Sequence, residues 1–253
     1  MKIYAIIPSR YASSRLPGKP LLDIAGKPMI QRVYEGVRRC ELLDDVIIAT
    51  DDERIEKAAG EFGAPCIITD ENHECGTDRI TECVERLGLT DEDVVINVQG
   101  DEPLIDPKMI NELIACFSDR GVYMATLAKR IDDAKAINDP NLVKVVFDRD
   151  NNALFFSRSP IPYDRDGKGV DHYKHIGIYG YKVASLKSFS RMEKSSLERA
   201  ESLEQLRALE NGFKIKVAET DCESVGIDTV DDLETVRQLL IQEGNKNDKG
   251  GDQ

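Results

Sequence analysis

The sequence predicts an α/β protein whose mainly parallel sheet carries a mixed or antiparallel extension. Strand-like and helix-like patterns alternate through residues 1–120, the order that builds β-α-β units and a parallel sheet covered on both faces. Between residues 123 and 181, strand patterns follow one another without helices, which predicts added strands in mixed or antiparallel pairing. With 253 residues, 41% of them hydrophobic, the chain can form one such domain, predicted over 1–242.

Short apolar runs and helical spacing justify the elements of the first half. Helices are predicted to begin near residues 28, 52, 78 and 107, because apolar residues then recur at helical spacing or capping groups precede them. The buried strands between these helices are predicted at Ile3–Ile7, Val46–Ala49, Cys66–Ile68 and Val94–Val98.

The second half begins with strand patterns that no helix separates. These strands are predicted at Tyr123–Ala128, Val143–Phe147, Ala153–Ser157 and Ile176–Tyr181. A leucine-rich helix follows around residues 203–209, and strands at 215–218 and 225–227 return to the sheet. A capping box over residues 229–232 opens a last helix. Residues 243–253 contain no apolar side chain, which predicts a disordered tail.

Composition and charge exclude several classes of protein. No apolar run reaches the roughly 18 residues of a membrane helix, and the first apolar run, Ile3–Ile7, is too short for a signal-peptide core. A net charge of −13 argues against nucleic-acid binding, since phosphate neutralisation needs a basic face. Six cysteines without a CxxC pair predict reduced thiols in a cytoplasmic protein. A zinc site at His73, Cys75 and Cys83 stays open, although their spacing matches no standard zinc pattern.

A basic loop follows the first predicted strand. The first 22 residues contain four cations, Lys2, Arg10, Arg15 and Lys19, and no acid. Because ligands of open α/β sheets bind at the carboxyl ends of strands, residues 8–20 lie where the phosphates of a nucleotide would bind. The loop matches neither GxxxxGK[ST] nor GxGxxG, so it supports neither a P-loop ATPase nor a dinucleotide fold. The alternative is a solvated basic turn.

Two aspartates follow predicted strands that lie far apart in the sequence. Asp101 comes after the strand that ends NVQG, and Asp228 comes after VGI. Carboxylates at the strand ends of one sheet can converge on Mg²⁺, which takes few protein oxygens and completes its shell with water and phosphate. Alternatively, Asp101 caps a turn and Asp228 caps the helix that begins beside Thr229.

Two further segments offer groups for a base or a sugar. In GTDR, Gly76 permits close approach of a flat base and Arg79 can hydrogen-bond a pyrimidine edge, although a plain capping turn explains both residues equally well. His175 opens the strand HIGIYGY, and Glu204-Gln205 lie on the leucine-rich helix. Without further information, these residues are a surface histidine and a solvated helix face.

Eight segments together resemble one known family in order and register. They are PSRYASSRLPGKPL, ATDDERI, GTDRI, NVQGDEPL, FFSRSPIPYDRD, HIGIYGY, SLEQLRALENG and GIDTVDDLE. The first is similar to sugar nucleotidyltransferases in general, whereas HIGIYGY and LEQLR resemble the 3-deoxy-manno-octulosonate cytidylyltransferases, the CMP-Kdo synthetases. The resemblance spans residues 2–240 and implies a Rossmann-like nucleotidyltransferase sheet.

The resemblance also implies roles for single residues. The residues that it implies for the CTP phosphates are Arg10, Ser13, Arg15 and Lys19. Those implied for reading cytosine are Gly76, Arg79 and Gln99, and those implied for metal binding are Asp101 and Asp228. Those implied for the sugar pocket are Arg158, His175, Glu204 and Gln205. Position 75, usually serine in the family, is cysteine here, so any contact of that side chain with the base would be weaker.

The reaction that the resemblance implies is transfer of CMP from CTP to an acidic 3-deoxy-ulosonate sugar, for lipopolysaccharide synthesis. It further implies Mg²⁺ as cofactor and a homodimer with residues 123–181 at the interface. Arg15 and Lys19 would stabilise the departing pyrophosphate, while the metal on Asp101 and Asp228 would activate the sugar hydroxyl. Two alternatives stay open: a sibling enzyme such as a CMP-sialate synthetase, and a nucleotide-binding regulator without turnover. Whether the far end of the sugar carries a hydroxyl or an amino group also stays open.

Overall fold

A computed structural model of the chain describes residues 1–12 and 16–249. The strands are β1 (Ile3–Ser9), β2 (Asp23–Ile24), β3 (Lys27–Pro28), β4 (Asp45–Thr50), β5 (Cys66–Ile68), β6 (Val94–Asn97), β7 (Met124–Arg130), β8 (Lys144–Phe147), β9 (Ala153–Ser157), β10 (Tyr173–Lys182) and β11 (Lys216–Glu219). The α-helices are α1 (Met29–Arg38), α2 (Glu53–Glu61), α3 (Gly76–Arg86), α4 (Pro107–Ala115), α5 (Val183–Ser190), α6 (Ser196–Glu201), α7 (Gln205–Glu210) and α8 (Val230–Lys249). Short 3₁₀ turns cover Lys19–Leu21, Cys116–Ser118 and Ala136–Asn138.

The central sheet has the strand order β11-β7-β10-β6-β1-β4-β5, and β8 and β9 extend it from β10. Strands β6, β1, β4 and β5 are mutually parallel. Strand β10 runs antiparallel to both of its neighbours in that order, β6 and β7, and also to β8. The predicted fold class, a mainly parallel sheet with a mixed extension, is therefore confirmed. The extension lies in the plane of the same sheet rather than in a separate layer.

Alternate strand residues fill a buried layer on each face of the sheet, as the period of two in a strand requires. In β1, Ala5 and Ile7 belong to the layer covered by α1, α2 and α4. Ile6 belongs to the opposite layer, which α3, α5 and α7 cover. Each of these isoleucines is fully buried and stabilises the fold by roughly 1.5–3 kcal/mol. Because β1, β4 and β6 are parallel, the loops that follow them meet at one edge.

A third buried cluster ties the last helix to that edge. It joins Ile24 and Met29 of the β2–α1 region to Ile227, Leu233 and Val236. Ile227 is fully buried, and its N–H donates to the Asp101 carbonyl at 3.0 Å. This bond fixes the segment before α8 against the turn that follows β6.

Some predicted elements differ from the observed ones. Residues 225–227 form no strand, because their place in the fold comes from packing and the bond at Ile227 rather than from a ladder. Helices α5 and α6 were not predicted, because they have eight and six residues and are too short to show clear periodicity. Helix α8 extends to Lys249 and so includes residues 243–249 of the predicted disordered tail, whose disorder stays a prediction. Residues 250–253 of that tail lie outside the described residues. None of the helices described is both long and apolar enough to cross a membrane.

Candidate active site

A cavity of about 410 Å³ lies where the loops after β1 and β6 meet. It is lined by Pro8, Ser9, Arg10, Lys19, Pro20, His73, Glu74, Cys75, Gly76, Arg79, Gln99, Gly100, Asp101 and Asp228. The segments in which the sequence predicted a nucleotide site therefore surround one space. We call it the larger cavity, because a second, smaller cavity adjoins it.

The ammonium group of Lys19 lies between two carboxylates in this cavity. Its Nζ donates to Asp101 Oδ2 at 2.6 Å and to Asp228 Oδ1 at 3.2 Å. The Lys19 side chain is only 12% exposed, so these contacts are less screened than those of a surface ion pair. The structure thus brings the two predicted acids to one point, although only Asp101 follows a strand of the sheet. Metal binding at that point stays a prediction.

A glycine allows the turn after β6 to approach the loop after β1. A Cβ atom on Gly100 would lie 2.4 Å from Ser9 Oγ and 2.9 Å from the Pro8 carbonyl oxygen. Any other residue would therefore push the two loops apart and move Asp101 with them.

The phosphate-binding residues predicted on the basic loop are only partly described. Arg10 and Lys19 line the larger cavity. Ser13 and Arg15 lie outside the described residues. The predicted contacts of all four residues with CTP phosphates stay predictions.

Arg79 lies in the wall of the larger cavity, but other residues already bind its guanidinium. It donates to Asp51 Oδ2 at 2.7 Å and also to the Thr69 hydroxyl. Its side chain is 4% exposed. These bonds hold the start of α3 against the loops that follow β4 and β5, so the guanidinium shapes the wall. Its predicted contact with cytosine stays a prediction, as do those of Gly76 and Gln99.

A smaller cavity of about 200 Å³ adjoins the larger one and shares Gly76 and Gln99 with it. Its other lining residues are Thr77, Asn97, Met124, Tyr179, Tyr181, Phe189, Glu204 and Gln205. Three buried atoms of this lining have no hydrogen-bond partner of ordinary geometry among the described residues: Asn97 Oδ1, Tyr179 OH and Gln205 Nε2. The Thr126 side chain is near the Tyr179 hydroxyl but does not reach that geometry. Because leaving such a group unpaired costs about 1–3 kcal/mol, this wall is suited to a ligand with several hydroxyl groups.

Glu204 and Gln205, both predicted for the sugar pocket, lie in this smaller cavity. The Glu204 carboxylate accepts from Thr77 Oγ1 at 2.9 Å and from Cys75 Sγ at 3.3 Å. Burial, together with the charge of Glu204, raises the pKa of the Cys75 thiol to about 12. Cys75 is therefore a neutral, weak donor to Glu204, at a position that also lines the larger cavity.

His175 and Arg158 were predicted for the same pocket, but the structure brings neither into the lining of the two cavities. The His175 ring packs against the Tyr179 ring at 5.3 Å, and its Nε2 lies 3.0 Å from Thr126 Oγ1. Burial lowers the pKa of His175 to about 3, so the ring is neutral. The Arg158 guanidinium donates to the carbonyls of Glu201 at 2.6 Å and Pro140 at 3.0 Å. Direct contact of either residue with a sugar stays a prediction.

Sequence reasoning missed several residues of the two cavities. Asn97, which ends the apolar strand β6, carried a usable signal, because a buried polar residue at a strand end needs a partner. Tyr179 and Phe189 carried no such signal, since aromatic residues are common in any core. Glu102, which lines neither cavity but follows Asp101, was also not predicted: burial, with Asp101 beside it, raises the pKa of its carboxyl to about 7.

The zinc alternative has no support in the part of the chain that the structure describes. There, no group of three or more His, Cys, Asp or Glu side chains is arranged to hold a metal ion. Cys83 is fully buried in the core, and His73 Nε2 lies 2.6 Å from Glu82. Two carboxylates at Lys19 remain as the acidic pair of the site.

Comparisons with known proteins agree with this geometry. The cytidylyltransferase family model matches residues 4–215. A 3-deoxy-manno-octulosonate cytidylyltransferase of Syntrophus aciditrophicus (strain SB) is 52% identical over 242 residues, which cover 95% of this chain and 98% of the relative. An 8-amino-3,8-dideoxy-manno-octulosonate cytidylyltransferase of Shewanella pealeana (strain ATCC 700345 / ANG-SQ1) is 50% identical over 235 residues, which cover 92% of this chain and 96% of the relative.

A solved structure gives the same result in three dimensions. It is a CMP:2-keto-3-deoxy-manno-octonic acid synthetase complexed with CTP, with a TM-score of 0.91 and 44% sequence identity. The superposition covers 96% of this chain and 100% of that one. The family model and a relative at 52% identity each extend over most of the chain. This chain is therefore a nucleotidyltransferase and belongs to the 3-deoxy-manno-octulosonate cytidylyltransferase family.

Proposed function

We propose that this enzyme transfers CMP from CTP to 3-deoxy-manno-octulosonate, releases pyrophosphate and supplies the activated sugar for lipopolysaccharide synthesis. The observation that carries the proposal is the pair of adjoining cavities, which share Gly76 and Gln99. One is lined by cations and acids, as a triphosphate with its metal requires, and the other by unpaired polar atoms, as a polyhydroxylated sugar requires. The relative whose structure is complexed with CTP supports the same nucleotide here.

The reaction joins the anomeric hydroxyl oxygen of the sugar to the α-phosphorus of CTP and breaks the bond to the β-phosphate. The protein mainly positions the two substrates and neutralises charge. Lys19 and Arg10, with Arg15, would bind the triphosphate and stabilise the departing pyrophosphate. Asn97, Tyr179 and Gln205 would hydrogen-bond the sugar and hold its hydroxyl close to the α-phosphate.

Mg²⁺ is the cofactor that we propose, held by Asp101 and Asp228. Both carboxylates lie within hydrogen-bond distance of one ammonium group, so their oxygens already converge on a single cationic position. This donor set fits a hard cation that takes one or two carboxylates and fills its shell with phosphate and water. When bound, the ion would lower the pKa of the sugar hydroxyl and offset charge on the α-phosphate. Lys19 must then release at least one carboxylate, and the phosphates of CTP offer it new partners.

Two candidate sugars differ in the group at their far end, which is a hydroxyl in one and an amino group in the other. The relative from Shewanella pealeana, at 50% identity, is named for the 8-amino sugar, and the relative from Syntrophus aciditrophicus, at 52%, for the 8-hydroxyl sugar. We propose the 8-hydroxyl sugar, because Glu204, the acid of the smaller cavity, already binds Arg207 at 2.9 Å. A carboxylate paired in this way has less attraction left for an ammonium group.

We also propose a cytoplasmic homodimer with the mixed part of the sheet at its interface. Leu154 on β9 is 61% exposed and Tyr163 in the following loop is 86% exposed. Large apolar side chains that are exposed on a monomer are candidates for burial in an interaction surface. The reduced state of all six cysteines fits a reducing compartment.

The test is a pyrophosphate-release assay with four nucleoside triphosphates against 3-deoxy-manno-octulosonate, its 8-amino analogue and sialate. We expect a strong preference for CTP and for the 8-hydroxyl sugar, with UTP the next best nucleotide. Better turnover with sialate would support a sibling enzyme. CTP binding without pyrophosphate release under any condition would indicate the nucleotide-binding regulator instead.

A further inference from the structure

The carboxylate of Glu204 forms part of the wall of the smaller cavity, beside the start of α3. It accepts from Thr77 Oγ1 and Cys75 Sγ on one side, and its side chain is 33% exposed. A carboxylate with this much freedom keeps one orientation only if a rigid partner holds it. Neither donor suffices, because the thiol is a weak donor and the hydroxyl rotates.

Arg207 on α7 is the rigid partner. Its Nη2 donates to Glu204 Oε1 at 2.9 Å, and the same guanidinium donates to both carboxylate oxygens of Glu198 at 3.0 and 3.1 Å. Its Nη1 donates to the Met192 carbonyl at 2.9 Å. Both hydrogens of Nη2 are thereby engaged, and the side chain is only 6% exposed. The planar, fixed geometry of the group sets the direction from which Glu204 is held.

The same guanidinium supports a second residue of that wall. Its central carbon lies 5.0 Å from the centre of the Phe189 ring, and Phe189 lines the smaller cavity. Arg207 itself is not among the residues that line this cavity. It therefore contacts two lining residues from behind and would not touch a bound sugar.

We propose that Arg207 is a positioning residue for the sugar: it fixes the Glu204 carboxylate and the Phe189 ring in the wall of the smaller cavity. Glu198 in turn holds Arg207 through a pair of charge-assisted hydrogen bonds. Glu198 is itself fixed by a capping box with Ser195 at the start of α6. This inference rests on the proposed function of the chain. It assigns a role to the final arginine of LEQLR, which was not among the predicted site residues.

The first experiment compares Arg207→Lys with the wild-type enzyme in kcat and in KM for each substrate. Lysine keeps the positive charge but loses the fork that bonds Glu198 and Glu204 together. We expect KM for the sugar to rise about 10- to 100-fold, the scale of a small misplacement of a binding group, while KM for CTP stays within about twofold. Arg199→Lys is the matched control, because Arg199 is an exposed arginine on α6, and it should change neither value.

A double-mutant cycle separates positioning from a merely structural role. If Arg207 acts through Glu204, Arg207→Lys should change the sugar KM by less than about threefold in a Glu204→Gln background. Equal effects in both backgrounds, or equal rises in KM for CTP and for sugar, would overturn the proposal.

A further variant covers the case in which Arg207→Lys does not fold, as judged by circular dichroism. Glu198→Gln leaves Arg207 in place and weakens its hold, so the sugar KM alone should rise, by about threefold or more. No change in that variant would also overturn the proposal.

If wild-type enzyme turns over no 3-deoxy-ulosonate, the proposed function fails and this inference fails with it. If wild type turns over and the cycle is additive, only the positioning role fails.

Discussion

Replacing Gln205 by methionine should make the free enzyme more stable and a poorer user of its sugar. Gln205 is 6% exposed, and its Nε2 hydrogen-bonds no other described residue, so the folded protein carries a desolvated donor. Methionine has a similar length and flexibility, and it removes that donor with little change in packing. In the proposed complex, however, the donor would bind a sugar oxygen, and methionine would give up that bond.

The magnitude follows from the cost of an unpaired buried group, about 1–3 kcal/mol. Part of this returns as stability, so we expect the free energy of unfolding to rise by about 1 kcal/mol. For a chain of 253 residues this corresponds to an increase in Tm of about 2–4 °C. The same range for the lost hydrogen bond, at about 1.4 kcal/mol per factor of ten, predicts a sugar KM about 5- to 150-fold higher.

Urea denaturation and steady-state kinetics on the same preparations measure both effects. The matched control is Gln31→Met, because Gln31 is a partly exposed glutamine whose Nε2 already donates to Glu35 at 2.8 Å. It should leave the sugar KM unchanged and should not stabilise the protein. A Gln205→Met enzyme that is less stable than wild type, or that loses CTP and sugar affinity equally, would refute the reasoning.

The remaining predictions concern charged and titratable groups. Asp101→Asn and Asp228→Asn should each lower kcat about a hundredfold or more, with partial rescue by excess Mg²⁺; a near-wild-type rate for Asp228→Asn would return that residue to a helix cap. Lys19→Met removes the cation between these acids, so Mn²⁺ should bind the nucleotide-free variant more tightly in calorimetry; unchanged affinity would contradict this arrangement. For His175, the pKa is about 3 in the folded protein against 6.5 in the unfolded chain, so its contribution to stability is full above pH 6.5 and falls with decreasing pH. Urea unfolding of wild type and His175→Gln should therefore converge by about 1.4 kcal/mol per pH unit below that value, and parallel curves would contradict the assignment.

Most of the sheet could be predicted from the sequence because its signals are local. Runs such as Val94–Asn97 are apolar, short and bounded by turns, and such runs form buried strands wherever parallel pairing is available. Helix α3, observed at Gly76–Arg86, was predicted over residues 78–87. The pairing of β10 between β6 and β7 was not predictable, because strand order depends on contacts between residues far apart in sequence.

The residues of the candidate site also differ in how readily the sequence reveals them. Lys19, Asp101 and Asp228 were predicted because charged residues after predicted strands stand out. Asp101 does follow a strand, whereas the bond from the Ile227 N–H to the Asp101 carbonyl places Asp228 beside it. Arg79 shows the limit of that reasoning. Its positive charge close to the predicted site was easy to recognise, whereas its bonds to Asp51 and Thr69 depend on the loops that follow β4 and β5. Arg158 shows the same limit, since its guanidinium donates to carbonyl groups that no sequence pattern reveals, and its predicted contact with a sugar stays a prediction.

The distribution of unpaired polar atoms supplies evidence about function that no motif contains. The described residues include six buried side-chain oxygen or nitrogen atoms without a hydrogen-bond partner. Ser9 Oγ lies on a residue that lines the larger cavity, and three others lie on residues of the smaller one. A fifth belongs to Glu102, beside Asp101. If such atoms were defects of folding, they would be scattered through the core, where each would destabilise the protein without compensation. Their concentration around two adjoining cavities is expected if substrates provide the missing partners. Because these groups lose their water when the protein folds, binding of the sugar does not have to pay that desolvation cost again.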